Sequence, residues 1–431
     1  MTILTCNDEQ VAALYAINHW LDATGEYSPY FVLSGSAGTG KTFCIRELVS
    51  TRKGEYAFTA TTNKATKELK ASVYTDTYQP ECRTIYSLLG LTMSTDGEVK
   101  EIRATEKRLE ISRFDAIIVD EASMVSKQLM KHIENAIARY NTRFIFMGDR
   151  AQLPPIGEYE SPVWEIATGV TLTKVMRHDN AILEFATRLR AEVDKDIPSI
   201  KIEGTMPKEA DISDLSHEGI WKLGKTDFES VLLAQAREQQ FSAYGMAKVV
   251  AWRNVRVDYF NKLIRDATFG KLTQDLPTWL EDDRLIFTAP VIDVHENMVA
   301  TTDDEGSVVD VGIGSINGFK TWDLEVQLDD GRMIVANAIH EDSLQAYNSL
   351  LSVFAEEAKR RERKWKDFWK LKELFNGVRY AYALTAHRSQ GSTYDRTFVC
   401  WQDILRNQDL NEAYRCLYVA STRPRRALVF S

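Results

Sequence analysis

Gly35-Ser36-Ala37-Gly38-Thr39-Gly40-Lys41-Thr42 has the form G-x-x-x-x-G-K-[ST], the pattern of a phosphate-cradling loop. Its surroundings fit the pattern. Phe31-Val32-Leu33 is an apolar run with the character of a buried strand, and Phe43, Ile45, Leu48 and Val49 follow with helical spacing. Strand, glycine-rich turn and helix together aim backbone N–H groups and a helix N-terminus at an anion. Gly35, Ser36, Ala37, Gly38, Thr39 and Gly40 would line the phosphates. Lys41 would reach the β- and γ-phosphates, and the Thr42 hydroxyl would ligate Mg²⁺. The plainer reading is a chance glycine-rich turn, and eight matching positions in the right context weigh against it. ATP and Mg²⁺ are the expected ligands.

Working outward, Ile117-Ile118-Val119-Asp120-Glu121-Ala122-Ser123-Met124 is an apolar strand closing on two acids. Asp120 is placed to hold Mg²⁺, and Glu121 to orient or activate an attacking water. Phe144-Ile145-Phe146-Met147-Gly148-Asp149-Arg150-Ala151-Gln152 is a second strand followed by a polar turn, from which Gln152 could reach the γ-phosphate. β-rich runs at Phe31–Leu33, Tyr56–Thr59, Ala116–Val119 and Arg143–Met147 alternate with helical patterns. That is the rhythm of a parallel sheet covered by helices. A second set at Ala247–Trp252, Thr397–Trp401 and Ala427–Phe430 implies a second α/β layer that includes the C-terminal residues.

The 431 residues suggest two to four domains. No apolar run is long enough to span a membrane, and the first residues lack a basic, then apolar, signal pattern. The five cysteines form no C-x-x-C pair, which argues against a disulfide framework or a zinc site and for a reducing cytoplasm. A net charge of −9 argues against indiscriminate coating of nucleic acid but leaves room for a local basic groove.

Between about Asp283 and Ile339, short β-like runs are broken by Asp304-Glu305-Gly306, Gly312-Ile313-Gly314 and Asp329-Asp330-Gly331, which suggests a small antiparallel barrel. Glu341 to Phe375 reads as helical. Its stretch from Lys359 to Lys370 is basic, with Trp365, Phe368 and Trp369 on one face; docking of that face is the plain reading and nucleic-acid contact by the basic face the sharper one. Leu91–Arg103, with Asp96-Gly97 at its tip, reads as a β-hairpin.

The ordered set GSAGTGKT (35–42), DEAS (120–123), GDRAQLPP (148–155), YALTAHRSQGST (382–393) and LYVASTR (417–423) resembles a superfamily 1 helicase, of the RecD-like 5′-to-3′ branch and its compact Dda-like members. The resemblance runs from Gln10 nearly to the end. It implies that Gln10 reads the adenine, although Asn7-Asp8-Glu9-Gln10 equally has capping-box spacing. It implies that Arg177 (motif IV) and Arg423 (motif VI) reach the γ-phosphate from the second domain, and that Gly391 lies at the nucleotide. Thr62 and Asn63 (motif Ia), Thr84 and Tyr86 (motif Ib), Arg253, Asn254, Thr385 and His387 (motif V) would contact the strand, largely through phosphate and sugar. Tyr86 stands where a histidine is usual, and Thr61 where a proline is common.

The implied fold is α/β, with two RecA-like P-loop domains. Residues 1–176 would form the first, interrupted by a β-hairpin pin near 86–112. Residues 177–266 and 378–431 would form the second, with an SH3-like β-barrel and basic helix inserted at 267–377. The implied activity is ATP-dependent, 5′-to-3′ DNA unwinding in phage DNA replication or recombination. A monomer would act on single-stranded DNA and tailed duplex DNA, beside a single-strand-binding protein or replisome component, in a host bacterial cytoplasm without membrane attachment. The few residues before Gly35 and after Arg423 leave no room for an appended nuclease, zinc or docking domain. The alternatives are an RNA-remodelling ATPase of the same superfamily and a non-motor single-strand-binding module.

Overall fold

The computed structural model describes residues 6–25, 27–96, 99–104, 110–175, 181–193, 195–205, 218–270, 276–292 and 298–431. Six parallel strands form the first sheet, in spatial order Glu81–Thr84, Tyr56–Ala60, Ala116–Asp120, Phe144–Gly148, Tyr30–Gly35, Gly169–Leu172. The central strands are nearly continuous apolar runs because both faces are covered. Leu33, Phe58, Ile118 and Ile145 point into one core, with Ala13, Ile17 and Leu48 from the helices. Their neighbours Val32, Ala57, Ile117, Phe144 and Phe146 point into the other, against Leu129 and Ile133. This period of two follows from the pleat.

The strand that carries Phe144–Gly148 lies between the phosphate-loop strand and the strand ending at Asp120. The turn after Gly148 therefore emerges between the two halves of the expected nucleotide site. Apolar patterning identifies the four central strands but misses Gly169–Leu172 and Glu81–Thr84, short edge strands with little apolar character.

The second sheet is also parallel, in order Ala383–Thr385, Ala247–Ala251, Tyr394–Val399, Pro424–Phe430, Gly219–Lys222. Helices Ala181–Val193 and Leu410–Ser421 cover one face, packing Phe185, Leu189 and Leu417 on the strand residue Phe430. Lys225–Arg237 and Asn254–Thr268 cover the other, packing Phe228 and Phe260 on the strand residue Phe398. The expected second α/β unit is present, assembled from two separate stretches of chain.

Between those stretches lies a five-stranded antiparallel sheet, in order Met333–Ile339, Phe319–Leu328, Glu305–Ile316, Arg284–Phe287, Val378–Tyr380. Trp279, Phe287, Trp322 and Leu324 fill its core. Three expectations change here. Gly312-Ile313-Gly314 is not a turn: it lies inside a long strand, where Gly314 leaves space for the Asp323 carboxylate. The chain reverses instead at Asn317-Gly318, both with positive φ (53° and 81°), the signature of a two-residue hairpin turn. Val378–Tyr380 belongs to this sheet and not to the second α/β unit, since it pairs with Arg284–Phe287. The helical stretch is two helices, Glu341–Lys359 and Trp365–Lys372, parted at Arg361 (φ 63°).

The hairpin forms, with Leu91–Asp96 antiparallel to Val99–Ala104 and register Met93↔Ile102 and Asp96↔Val99. Gly97 at its tip lies outside the described residues. Helix Trp365–Lys372 lies alongside its first strand.

Candidate nucleotide site and strand cleft

The loop from Gly35 leads into helix Lys41–Thr51, with Gly38 (φ 80°) and Gly40 (φ 86°) left-handed, as a phosphate-cradling turn requires. Both glycines are also confined by space: a Cβ at Gly40 would meet Gln10 Nε2 at 2.4 Å, and one at Gly38 would meet Leu183 at 3.0 Å. Lys41 Nζ donates to the carbonyls of Gly35 (2.8 Å) and Ser36 (3.1 Å), so its ammonium sits over the loop. Ala37 lies at the Tyr418 hydroxyl through its backbone, Thr39 is buried, and Thr42 follows Lys41 in the first helical turn.

Gln10 is buried and does two things. Its Oε1 accepts from Asn7 N–H (3.0 Å) while Asn7 Oδ1 accepts from Gln10 N–H (2.8 Å), which completes the capping box. Its Nε2 donates to the Thr39 carbonyl at 3.2 Å. The capping reading is correct, and the same side chain braces the phosphate loop.

Asp120 ends its strand, and Glu121 follows with a left-handed backbone (φ 54°). Burial, and then the Glu121 carboxylate beside it, push the Asp120 carboxyl up to about 6; the Glu121 N–H (2.8 Å) and Lys41 pull the other way. A half-buried acid pair near a lysine is a hard-oxygen donor set suited to Mg²⁺.

The second domain closes over this site through side chains that sequence did not assign. Asp149, fully buried, accepts from Arg190 Nε (3.0 Å) and from the Tyr418 hydroxyl (2.5 Å). Arg415 Nη1 donates to the carbonyls of Arg150 and Gln152 (2.9 Å for the second). Gln390 Nε2 donates to Ser123 Oγ (3.1 Å) and Gln152 Oε1 (3.2 Å). Gln152 is thus held by Gln390, 238 positions on in the sequence. The motif strings contain Asp149, Ser123 and Gln390, but nothing in a string shows which partner each will meet.

Arg423 is buried, and its guanidinium donates to Val419 O (3.0 Å), Ser392 O (3.1 Å) and Thr422 Oγ1 (3.0 Å), all within the second domain. Arg177 lies outside the described residues. Gly391, expected at the nucleotide, is placed otherwise: its φ is 75° and a Cβ there would meet Ala65 Cβ at 3.0 Å, so it packs on the motif Ia helix.

Beside that junction lies a cleft of about 470 Å³ bounded by all three units. Helix Asn63–Val73, Thr84 and Ser87 line it from the first domain, Gly391–Tyr394 and Lys248 from the second, and Arg284, Asp304, Glu305 and Asp329 from the antiparallel sheet. Thr62, Thr84 and Thr385 each cap a helix through Oγ1, accepting from Ala65, Ser87 and Arg388 N–H (3.2, 3.2 and 3.3 Å). Asn63 Nδ2 meets Thr301 Oγ1 and both Asp304 carboxylate oxygens (3.4 Å). Glu305 is buried among Lys64, Lys248 (2.8 Å) and Arg284 (3.5 Å), whose charges hold its carboxyl far below the usual range against the cost of burial. Burial pushes Lys248 down, and the neighbouring Arg284 and Lys64 add to that; Lys64, facing the carboxylate, is raised.

The other expected strand contacts are more scattered. Tyr86 packs half-buried on the first-domain core. Arg253 is held by Asp403 (2.6 Å from Nε), and Asn254 Oδ1 accepts from Arg379 (3.4 Å). His387 Nε2 lies 3.4 Å from Glu412 Oε1, with its pKa lowered by burial. Cys416 Sγ completes a cluster within 4.8 Å, but burial pushes its thiol up, which disfavours the thiolate a metal would need.

Residues 5–203 match the AAA domain family, and 380–431 the UvrD-like helicase C-terminal domain family. The ATP-dependent DNA helicase dda of Enterobacteria phage T4 is 25% identical over 98% of this chain and 99% of its own length. The chain is a superfamily 1 helicase of the RecD, Pif1 and Dda type. The RecBCD subunit RecD of Haemophilus influenzae is 27% identical over 38% of this helicase and 28% of its own length. Pif1 from Bacteroides, solved with ADP-AlF3 and single-stranded DNA, superposes with a TM-score of 0.53 at 15% identity, covering 100% of this helicase and 93% of that chain. That likeness confirms the fold of two RecA-like domains.

Proposed function

We propose that the chain is an ATP-driven motor that moves 5′-to-3′ on single-stranded DNA and unwinds duplex DNA. The observation that carries this reading is the placement of two consecutive residues. Gln390 binds Ser123 and Gln152 beside the acid pair, and Gly391 packs on Ala65 at the strand cleft. A shift of the second domain driven by the nucleotide moves the strand cleft with it, because one short segment serves both.

In this reading Lys41 neutralises phosphate charge, and Thr42 and Asp120 hold Mg²⁺, which when bound would draw charge from the phosphate oxygens. Glu121 takes the proton of the attacking water, Gln152 orients it, and Arg177, with Arg423 once it leaves its bonds to Val419, Ser392 and Thr422, stabilises the charge that develops. Gln10 braces the loop through the Thr39 carbonyl and reads the adenine edge. Asn63, Lys64, Thr84 and the segment around Thr385 and His387 grip the strand; Arg253, Asn254 and Tyr86 support that surface. The hairpin acts as the pin that parts the pairs, with Met93 or Val99 as its apolar edge. The antiparallel sheet corresponds to an SH3-like barrel. The substrates are single-stranded and tailed duplex DNA, the working unit a monomer, and the setting phage replication or recombination in a bacterial cytoplasm, alongside a single-strand-binding or replisome protein. No described helix is long and apolar enough to cross a membrane.

ATP turnover measured with no nucleic acid, with single-stranded DNA and with single-stranded RNA of the same sequence tests the proposal. Stimulation by DNA well above that by RNA is expected. Stimulation by RNA alone would make this an RNA-remodelling ATPase, and stimulation by neither would leave a binding module.

A further inference from the structure

Eight Lys or Arg and only two acids fall between residues 359 and 372, in a chain whose net charge is −9. Their surroundings divide them. Arg360 pairs with Glu356, Arg363 with Glu357 and the Phe354 ring, and Lys372 lies over the Trp369 ring at 4.7 Å. Lys359, Arg361, Lys364, Lys366 and Lys370 are exposed and make no ion pair with a described residue. Lys366 and Lys370 share one helix face, about 6 Å apart along the axis. Five solvated cations within twelve residues of chain are suited to an array of phosphates.

Which nucleic acid they suit follows from the aromatics. A single-strand platform needs exposed rings for bases to stack on. Here Trp369 is buried, Trp365 and Phe368 are half-buried, and the three rings meet edge to face at 5.4 and 5.2 Å. The rings are used to dock the helix, leaving charge alone outward. The same burial removes the apolar wedge that a membrane surface would require. Charge without stacking or insertion is the recognition mode for a duplex backbone. Position agrees, because helix Trp365–Lys372 lies alongside hairpin strand Leu91–Asp96.

We propose that Lys359, Arg361, Lys364, Lys366 and Lys370 form a second nucleic-acid site that binds the sugar–phosphate backbone of the intact duplex ahead of the separating hairpin. The site rests on the helicase reading for its purpose but not for its detection. It would hold the incoming duplex against the hairpin while the strand cleft pulls one strand away.

The test uses the full chain carrying Lys359→Gln, Lys364→Gln, Lys366→Gln and Lys370→Gln together, four exposed positions whose substitution leaves the core untouched. Binding of an untailed blunt duplex and of a single strand is titrated across a salt series, with ATP turnover on single-stranded DNA as control. Duplex affinity should fall at least about tenfold at low salt, and the slope of log affinity against log salt should flatten by about 2 to 4, since each lysine neutralises about one phosphate. Single-strand affinity and strand-stimulated turnover should stay within about twofold, because the strand cleft is elsewhere. Unchanged duplex binding would overturn the proposal, as would a loss confined to single strands. Failure of the wild-type chain to hydrolyse ATP in response to DNA would instead contradict the motor reading, and the duplex titration would still decide this site.

Discussion

At the scale of residues, the nucleotide site depends on a few groups with separate duties. Lys41 places its ammonium over the loop at Gly35 and Ser36. Lys41→Ala should remove nearly all hydrolysis and leave single-strand affinity nearly intact, which a turnover assay and a strand titration on one preparation will show. Glu121→Gln should bind ATP and turn it over about 10² to 10⁴ times more slowly, the usual effect of losing a general base; a loss below about tenfold would move that role to another group. Asp120 adds a pH dependence. Its carboxyl is raised from 3.8 to about 6, so the folded state binds that proton more tightly than the unfolded chain does. Folded stability from this group is therefore present at low pH and is lost as pH rises from about 4 to about 6. Activity, which needs the carboxylate, runs the opposite way over the same window. The acid limb of kcat/KM should lie near pH 6, and that of kcat lower, since bound Mg²⁺ and ATP favour the ionised form; a limb near pH 4 in both would contradict the assignment. Residue identities here were largely legible in the sequence, because backbone geometry imposes glycine and lysine at set spacings. Gln390, Asp149 and Glu305 were not, because their importance comes from partners distant along the chain, and a string carries no distances.

At the scale of elements, legibility followed burial. Central strands with both faces covered announce themselves as apolar runs; the edge strands Gly169–Leu172 and Glu81–Thr84 do not. Glycine misled where it relieves crowding: Gly314 reads as a turn in sequence but sits in mid-strand under Asp323. The helical stretch after the antiparallel sheet broke at Arg361, where no proline or glycine marked the break. The hairpin Leu91–Ala104 forms with the expected register, and its duty can be separated from the motor. Shortening Thr92–Glu101 to a tight turn should abolish strand separation while leaving strand-stimulated turnover and single-strand translocation near normal, measured by displacement of a labelled strand and by clearance of a protein block from a single strand. Unwinding by the shortened chain at the normal rate would remove the hairpin from the mechanism.

At the scale of the whole molecule, two α/β domains and an inserted antiparallel sheet meet at two junctions. Asp149 joins the first domain to Arg190 and Tyr418 beside the phosphate loop, and Glu305 gathers Lys64, Lys248 and Arg284 at the cleft where all three units meet. Asp149→Ala removes the acceptor of the buried Tyr418 hydroxyl and one contact of the partly exposed Arg190, and should lower unfolding stability by about 1 to 3 kcal/mol. It should also weaken coupling, so that turnover responds less to DNA; denaturant melts and DNA-stimulation ratios check both. The central claim is directional, ATP-driven unwinding of DNA. Displacement of a labelled strand from matched duplexes bearing either a 5′ or a 3′ single-stranded tail, with ATP and Mg²⁺, tests it most directly. The 5′-tailed duplex should be unwound and the 3′-tailed and blunt ones left intact; unwinding of the 3′-tailed duplex alone, or of neither while ATP is hydrolysed, would rule out a 5′-to-3′ motor.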